Sequence, residues 1–120
     1  MTIPSKLRDI DVESNYRWIK GIYETMNKID KYQAIADDEQ NPEDMRKAFA
    51  KEVEFQKRDL EDCKELIRGF KSSFSQLLFK KYIEGYTLEE VAVDMGYVAN
   101  SLDNVHAQFT RALREKGLAI

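Results

Sequence analysis

Between residues 11 and 36 the apolar side chains return every three or four positions. Val12, Ile19 and Met26 make one row, and Ile22 and Ile29 make a second; Asn15 and Gln33 interrupt the seam, and Tyr16 and Tyr23 widen it. These spacings are those of a helix packed against another helix. The pattern breaks at DDEQNPED. There Asn41 suits a helix cap, Pro42 the first helical position, and Glu43 and Asp44 the positive end of a new helix. A second seam follows through Phe49, Val53, Leu60, Cys63, Ile67 and Phe70, with Gln56 as its polar interruption. Two long helices joined by a short polar loop predict an antiparallel helical hairpin.

Gly69 and the following KSS weaken helix formation and predict a hinge. Three shorter helices are expected beyond it. The first carries Phe74, Leu77, Leu78, Tyr82 and Ile83 and stops at Gly85, which accepts the left-handed backbone that ends helices. The second opens on Thr87 with Glu90 three residues later, the pattern of a reciprocal capping box, and carries Leu88, Val91, Ala92 and Met95. Gly96 makes a tight turn. The third runs from about residue 99 to Lys116, with Gly117 ending it. The chain therefore reads as all-α, a helical hairpin over residues 1–70 followed by a three-helix unit over 71–120.

Composition narrows the chemistry. Hydrophobic residues at 42% and charged residues at 34% fit a folded helical chain, and no apolar run approaches the roughly 20 residues that cross a bilayer. With no secretory core near the N-terminus, a cytoplasmic protein without a membrane partner is expected. One cysteine and one histidine leave no disulfide framework and no basis for a structural zinc site. Cys63 falls on the second seam and reads as a small buried apolar residue, and His106 as a packed residue beside a core stripe. The acidic run at 37–39 lacks the glycine and the distant glutamate of a calcium loop, and no G-x-G spacing surrounds Gly85 or Gly96. No nucleophile–base pair is in evidence, so neither an enzyme nor a cofactor or metal is expected.

The order helix, glycine stop, capped short helix, glycine turn, long helix is that of a helix-turn-helix, whose last helix enters the major groove. The stretch FKKYIEGYTLEEVAVDMGY, followed by Leu102, Val105 and RAL at 111–113, resembles the sigma-70 region 4 helix-turn-helix. With a hairpin ahead of it, the chain is similar to phage transcriptional regulators of the ArpU type. That resemblance implies a DNA-binding regulator of late genes encoded by a phage or an integrated element. The family usually places Ser or Thr at the cap of the last helix, where this chain has Val98; the cap is expected to shift, for example to Asn100.

Placing residues 99–116 at about 100° intervals puts Leu102, Val105, Phe109 and Leu113 on one stripe, which must be core. Opposite lie Asn100, Asn104, Ala107 and Arg111, flanked by Asp103, Gln108 and Arg114. Asn and Gln pair with adenine in bidentate fashion, and Arg suits guanine or phosphate. The candidate DNA-binding residues are thus Thr87, Asn100, Ser101, Asp103, Asn104, Gln108, Arg111 and Arg114. Tyr16, Trp18, Tyr23 and Tyr32 form a second apolar row on the hairpin and are the candidate partner-binding surface, with homodimerisation expected.

A net charge of −3 opposes general polyanion binding, because counterion release needs many Lys/Arg contacts with phosphate. A dimer would combine two weak half-site contacts, and Arg8, Arg17, Arg46, Arg58 and Arg68 offer phosphate contacts from the hairpin. Two function classes therefore stand. The chain binds operator or promoter DNA, or its helix-turn-helix docks on RNA polymerase or another phage regulator.

Overall fold

The computed structural model describes residues 3–120, and every regular element among them is helical. Helix α1 (Asp9–Asp37) begins where the Arg8 carbonyl receives the Asp11 and Val12 amides. The Asp11 carboxylate accepts the Arg8 amide at 3.1 Å, the half of a capping box in which the third helical residue reaches back to the cap. Helix α2 (Glu43–Arg68) follows a five-residue loop. Asn41 does not cap it as expected. Its side-chain amide donates to the Ile35 carbonyl at 3.0 Å, and the Pro42 carbonyl receives the Arg46 amide.

Helix α3 (Ser73–Leu78) is capped by Ser72, whose hydroxyl accepts the Ser75 amide at 3.2 Å. It runs on into a π turn, Phe79–Ile83, closed by the Glu84 amide on the Phe79 carbonyl. Gly85, at φ +80°, ends the run. Helices α4 (Leu88–Met95) and α5 (Ala99–Glu115) complete the chain.

Contacts divide the chain into two compact units, one from the N-terminal segment through Ile19 together with Ile67–Ile120, the other Lys20–Leu66. The division falls inside both long helices rather than at residue 70. The start of α1 belongs with the C-terminal helices because Val12, Asn15 and Ile19 are all buried there.

In this larger unit Phe74, Leu77, Leu78, Phe79, Val91, Leu102, Val105 and Phe109 are at most 2% exposed. Each contributes roughly 1.5–3 kcal/mol by leaving water. Phe74 meets Phe109 edge-on with centroids 5.6 Å apart, and Trp18 lies 6.3 Å from Phe79. Asn15, which interrupts the seam in the sequence, is buried for a polar reason. Its Oδ1 accepts from the Ser75 hydroxyl at 2.7 Å and from Trp18 Nε1 at 2.8 Å, and its Nδ2 donates to the Asp11 carbonyl. All these groups are satisfied, as buried polar groups must be.

The Lys20–Leu66 unit buries Ile22, Ile29, Ala36 and Val53, and Tyr32 stands edge-on to Phe49 at 5.1 Å. Three expected seam residues turn outward. Met26 is 40% and Phe70 37% exposed, and Cys63 is exposed rather than a buried apolar residue. Phe70 follows the end of α2 at Arg68, so helical spacing no longer places it, and at about 100° per residue Cys63 lies about 80° round the helix from buried Val53, at the edge of the stripe. The tyrosines and Trp18 are half-buried, and Trp18 and Tyr32 are engaged within their own units rather than forming a free apolar row. No helix among the described residues is long and apolar enough to cross a membrane.

Candidate nucleic-acid interface

The site is assembled from α4, the turn after it, and α5. Thr87 adopts extended backbone, its Oγ1 accepts the Glu90 amide at 3.1 Å, and Glu90 Oε1 accepts the Thr87 amide at 3.1 Å. Thr87 is exposed and its hydroxyl keeps a proton to donate outward. At the other end Tyr97 donates to the Ala92 carbonyl at 2.9 Å and Gly96 to that of Val93, with Gly96 at φ +73°. This pair of bonds closes a helix C-terminus through a left-handed residue. Val91 and Ala92 face the core, and the small side chain of Ala92 suits close packing between α4 and α5.

Across the turn α5 starts at Ala99 with Val98 in the cap position and no side-chain cap bond. The expected shift of the cap to Asn100 does not occur. The first turn is held instead by the Ser101 amide on the Val98 carbonyl at 3.1 Å. Leu102, Val105, Phe109 and Leu113 are all buried, as their spacing requires. That fixes the rotation of the helix. Asn100, Ser101, Asp103, Asn104, Ala107, Arg111 and Arg114 are exposed, and the polar ones make no side-chain hydrogen bond or ion pair among the described residues.

Gln108 departs from this group. It is half-buried, its Oε1 accepts the Leu7 amide at 3.1 Å, and its Nε2 donates to the Ser5 carbonyl at 2.7 Å. Both halves of the amide are committed to the N-terminal segment, so Gln108 is not free to read a base. A small cleft beside this contact is lined by Ile3, Pro4, Ser5, Ser101, Asn104 and Val105. The segment therefore runs along one flank of α5. Nothing local in the sequence signals it.

His106 sits beside the core stripe, its Nε2 2.7 Å from the Tyr82 hydroxyl. Burial pushes its pKa below the ordinary value and nearby Lys81 adds to this, with Asp103 opposing. Lys80 pairs with Asp94 at 2.8 Å and joins the π turn to α4.

Charge is unevenly divided. The Lys20–Leu66 unit holds nine Lys/Arg against thirteen Asp/Glu, a net of −4, while the unit bearing α5 holds ten against nine, a net of +1. The acidic balance that opposes polyanion binding thus lies wholly outside the unit that carries the exposed Asn/Arg face. No group of His, Cys, Asp and Glu among the described residues is gathered to hold a metal ion. No family model, curated protein or solved structure matches the chain.

Proposed function

We propose that the chain is a sequence-specific DNA-binding regulator of transcription. In this reading α1 and α2 form a helical hairpin, and α3 to α5 form a helix-turn-helix of the sigma region 4 kind. Helix α4 braces α5, and α5 lies in the major groove. One observation carries the reading: opposite a fully buried stripe, α5 holds a continuous exposed face of Asn100, Asn104, Arg111 and Arg114 with unengaged side chains. Two Asn supply bidentate donor–acceptor pairs for adenine, and two Arg supply charge for guanine or phosphate. Asp103 lies on the same face and suits a cytosine amino group. The likeness of the motifs to phage late-gene regulators extends the proposal to that role. Self-association through the Lys20–Leu66 unit would double the contact, and exposed Phe55 and Leu66 supply apolar surface for it.

The test compares a duplex selected from a random pool with unselected duplex. Asn104→Ala is expected to lower discrimination between them by about 1–3 kcal/mol. Arg111→Ala is expected to weaken binding to both alike and to reduce the salt slope by about one. Asp103→Asn should tighten binding to both, since it removes a negative charge from the groove-facing helix. Absence of any DNA binding at about 50 mM salt refutes the reading, because electrostatic attraction is strongest there.

A second reading is favoured by α4. Val93 is 85% exposed and is surrounded by Tyr86, Glu89, Glu90 and Asp94. An apolar contact ringed by carboxylates suits a basic protein surface, such as one on RNA polymerase or another regulator. Under that reading the three α5 substitutions leave all DNA affinities unchanged.

A further inference from the structure

The N-terminal segment is fixed against the α5 unit at two places. Ser5 and Leu7 are bonded to the Gln108 amide, and Arg8 holds Asp11 through its backbone amide and through two guanidinium contacts of 3.0 Å each. Lys6 stands between Ser5 and Leu7, the two residues held by Gln108. It is exposed and has no carboxylate partner among the described residues, whereas the charge of Arg8 is answered by Asp11. The segment does not cover the candidate reading face. Ser101 and Asn104 stay exposed although they rim the cleft beside it, and only Gln108 loses access.

We propose that residues 3–8 form a basic arm that flanks α5 and places Lys6 against the phosphate backbone of bound DNA, with Gln108 as the positioning residue. The inference rests on the DNA-binding reading above. A helix lying in the major groove has a phosphate strand on each side, and the flank of α5 at Ser101, Asn104 and Gln108 faces one of them. A segment packed along that flank meets the same strand. An uncompensated ammonium there gains counterion-release free energy without contributing to base choice. Gln108 thus acts on affinity through the arm and on sequence not at all.

Lys6→Ala, Gln108→Ala and the double variant are compared with the parent by fluorescence anisotropy, on a selected duplex and on random-sequence duplex. Circular dichroism establishes that all four proteins are folded. Lys6→Ala is expected to weaken binding to both duplexes by the same factor and to lower the slope of log affinity against log salt by about 0.9. Gln108→Ala should reproduce both effects although it removes no charge, because the arm is released. The double variant should bind no worse than either single one.

Tighter binding by the variants would overturn the proposal, since the arm would then be an obstruction. An effect of Gln108→Ala on the selected duplex alone would overturn it in favour of direct base reading. Silence of Lys6→Ala while Arg111→Ala weakens binding would remove the arm and leave the DNA reading standing. If the parent binds neither duplex, the DNA reading itself falls and the arm falls with it.

Discussion

Two glycines offer the same substitution with opposite expected signs. Gly21 lies in the middle of α1, and a Cβ added there meets nothing within 4 Å. Gly21→Ala therefore removes the backbone entropy penalty of a helical glycine without a steric cost, a gain of up to about 1 kcal/mol. A Cβ at Gly96 also meets nothing within 4 Å, yet its φ is +73°. An L-residue held there costs about 1–2 kcal/mol, offset by about 0.4–1 kcal/mol because alanine restricts the unfolded chain. Gly96→Ala should thus lose roughly 1 kcal/mol, and Gly96→Asn less, because asparagine tolerates the left-handed region. Thermal unfolding followed by circular dichroism at 222 nm reads the difference. A change of 1 kcal/mol in a chain of this size moves Tm by about 3–6 °C. Gly21→Ala is expected to raise Tm and Gly96→Ala to lower it. If Gly96→Ala melts at or above the parent, the turn between α4 and α5 does not need the left-handed residue and the capping account is wrong.

Leu102→Ala should cost about 2–5 kcal/mol in a chemical denaturation, since Leu102 is fully enclosed. Leu102→Asp should leave the α5 unit unfolded, which near-ultraviolet dichroism would reveal. Asn15→Ala leaves the buried Ser75 hydroxyl without an acceptor at a cost of about 1–3 kcal/mol, and a double-mutant cycle with Ser75→Ala should recover part of it. His106 has a folded pKa below its ordinary 6.5, so the unfolded chain binds the proton first as pH falls. Its contribution destabilises the protein below about pH 6.5 and is complete once pH has passed under the folded pKa; Tm against pH should flatten there in His106→Gln.

The local devices were readable in the sequence because their causes are local. Thr87 with Glu90, Gly85, Gly96 and Gly117, and the four-residue stripe on α5 each follow from the chemistry of a few neighbouring positions. The rest was not readable for the opposite reason. Asn15 looks like a flaw in the seam until Ser75, sixty residues on, arrives to bond it. Gln108 looks like a base reader until Ser5 and Leu7, over a hundred residues away, take both ends of its amide. Phe70 sits past the end of α2, where helical spacing no longer decides its side, and Cys63 lies at the edge of its stripe, where spacing alone does not decide burial.

The π turn at Phe79–Ile83 also bears on how such a chain can change length over descent. A turn that already closes over one residue more than an α-helix needs can lose that residue and become ordinary helix, with the Gly85 stop still behind it. The same loss inside α5 would swing every later side chain by about 100° and carry Phe109 and Leu113 out of the core. Among descendants of this sequence, single-residue gains and losses are therefore expected to gather at residues 79–83 and to be purged from α5.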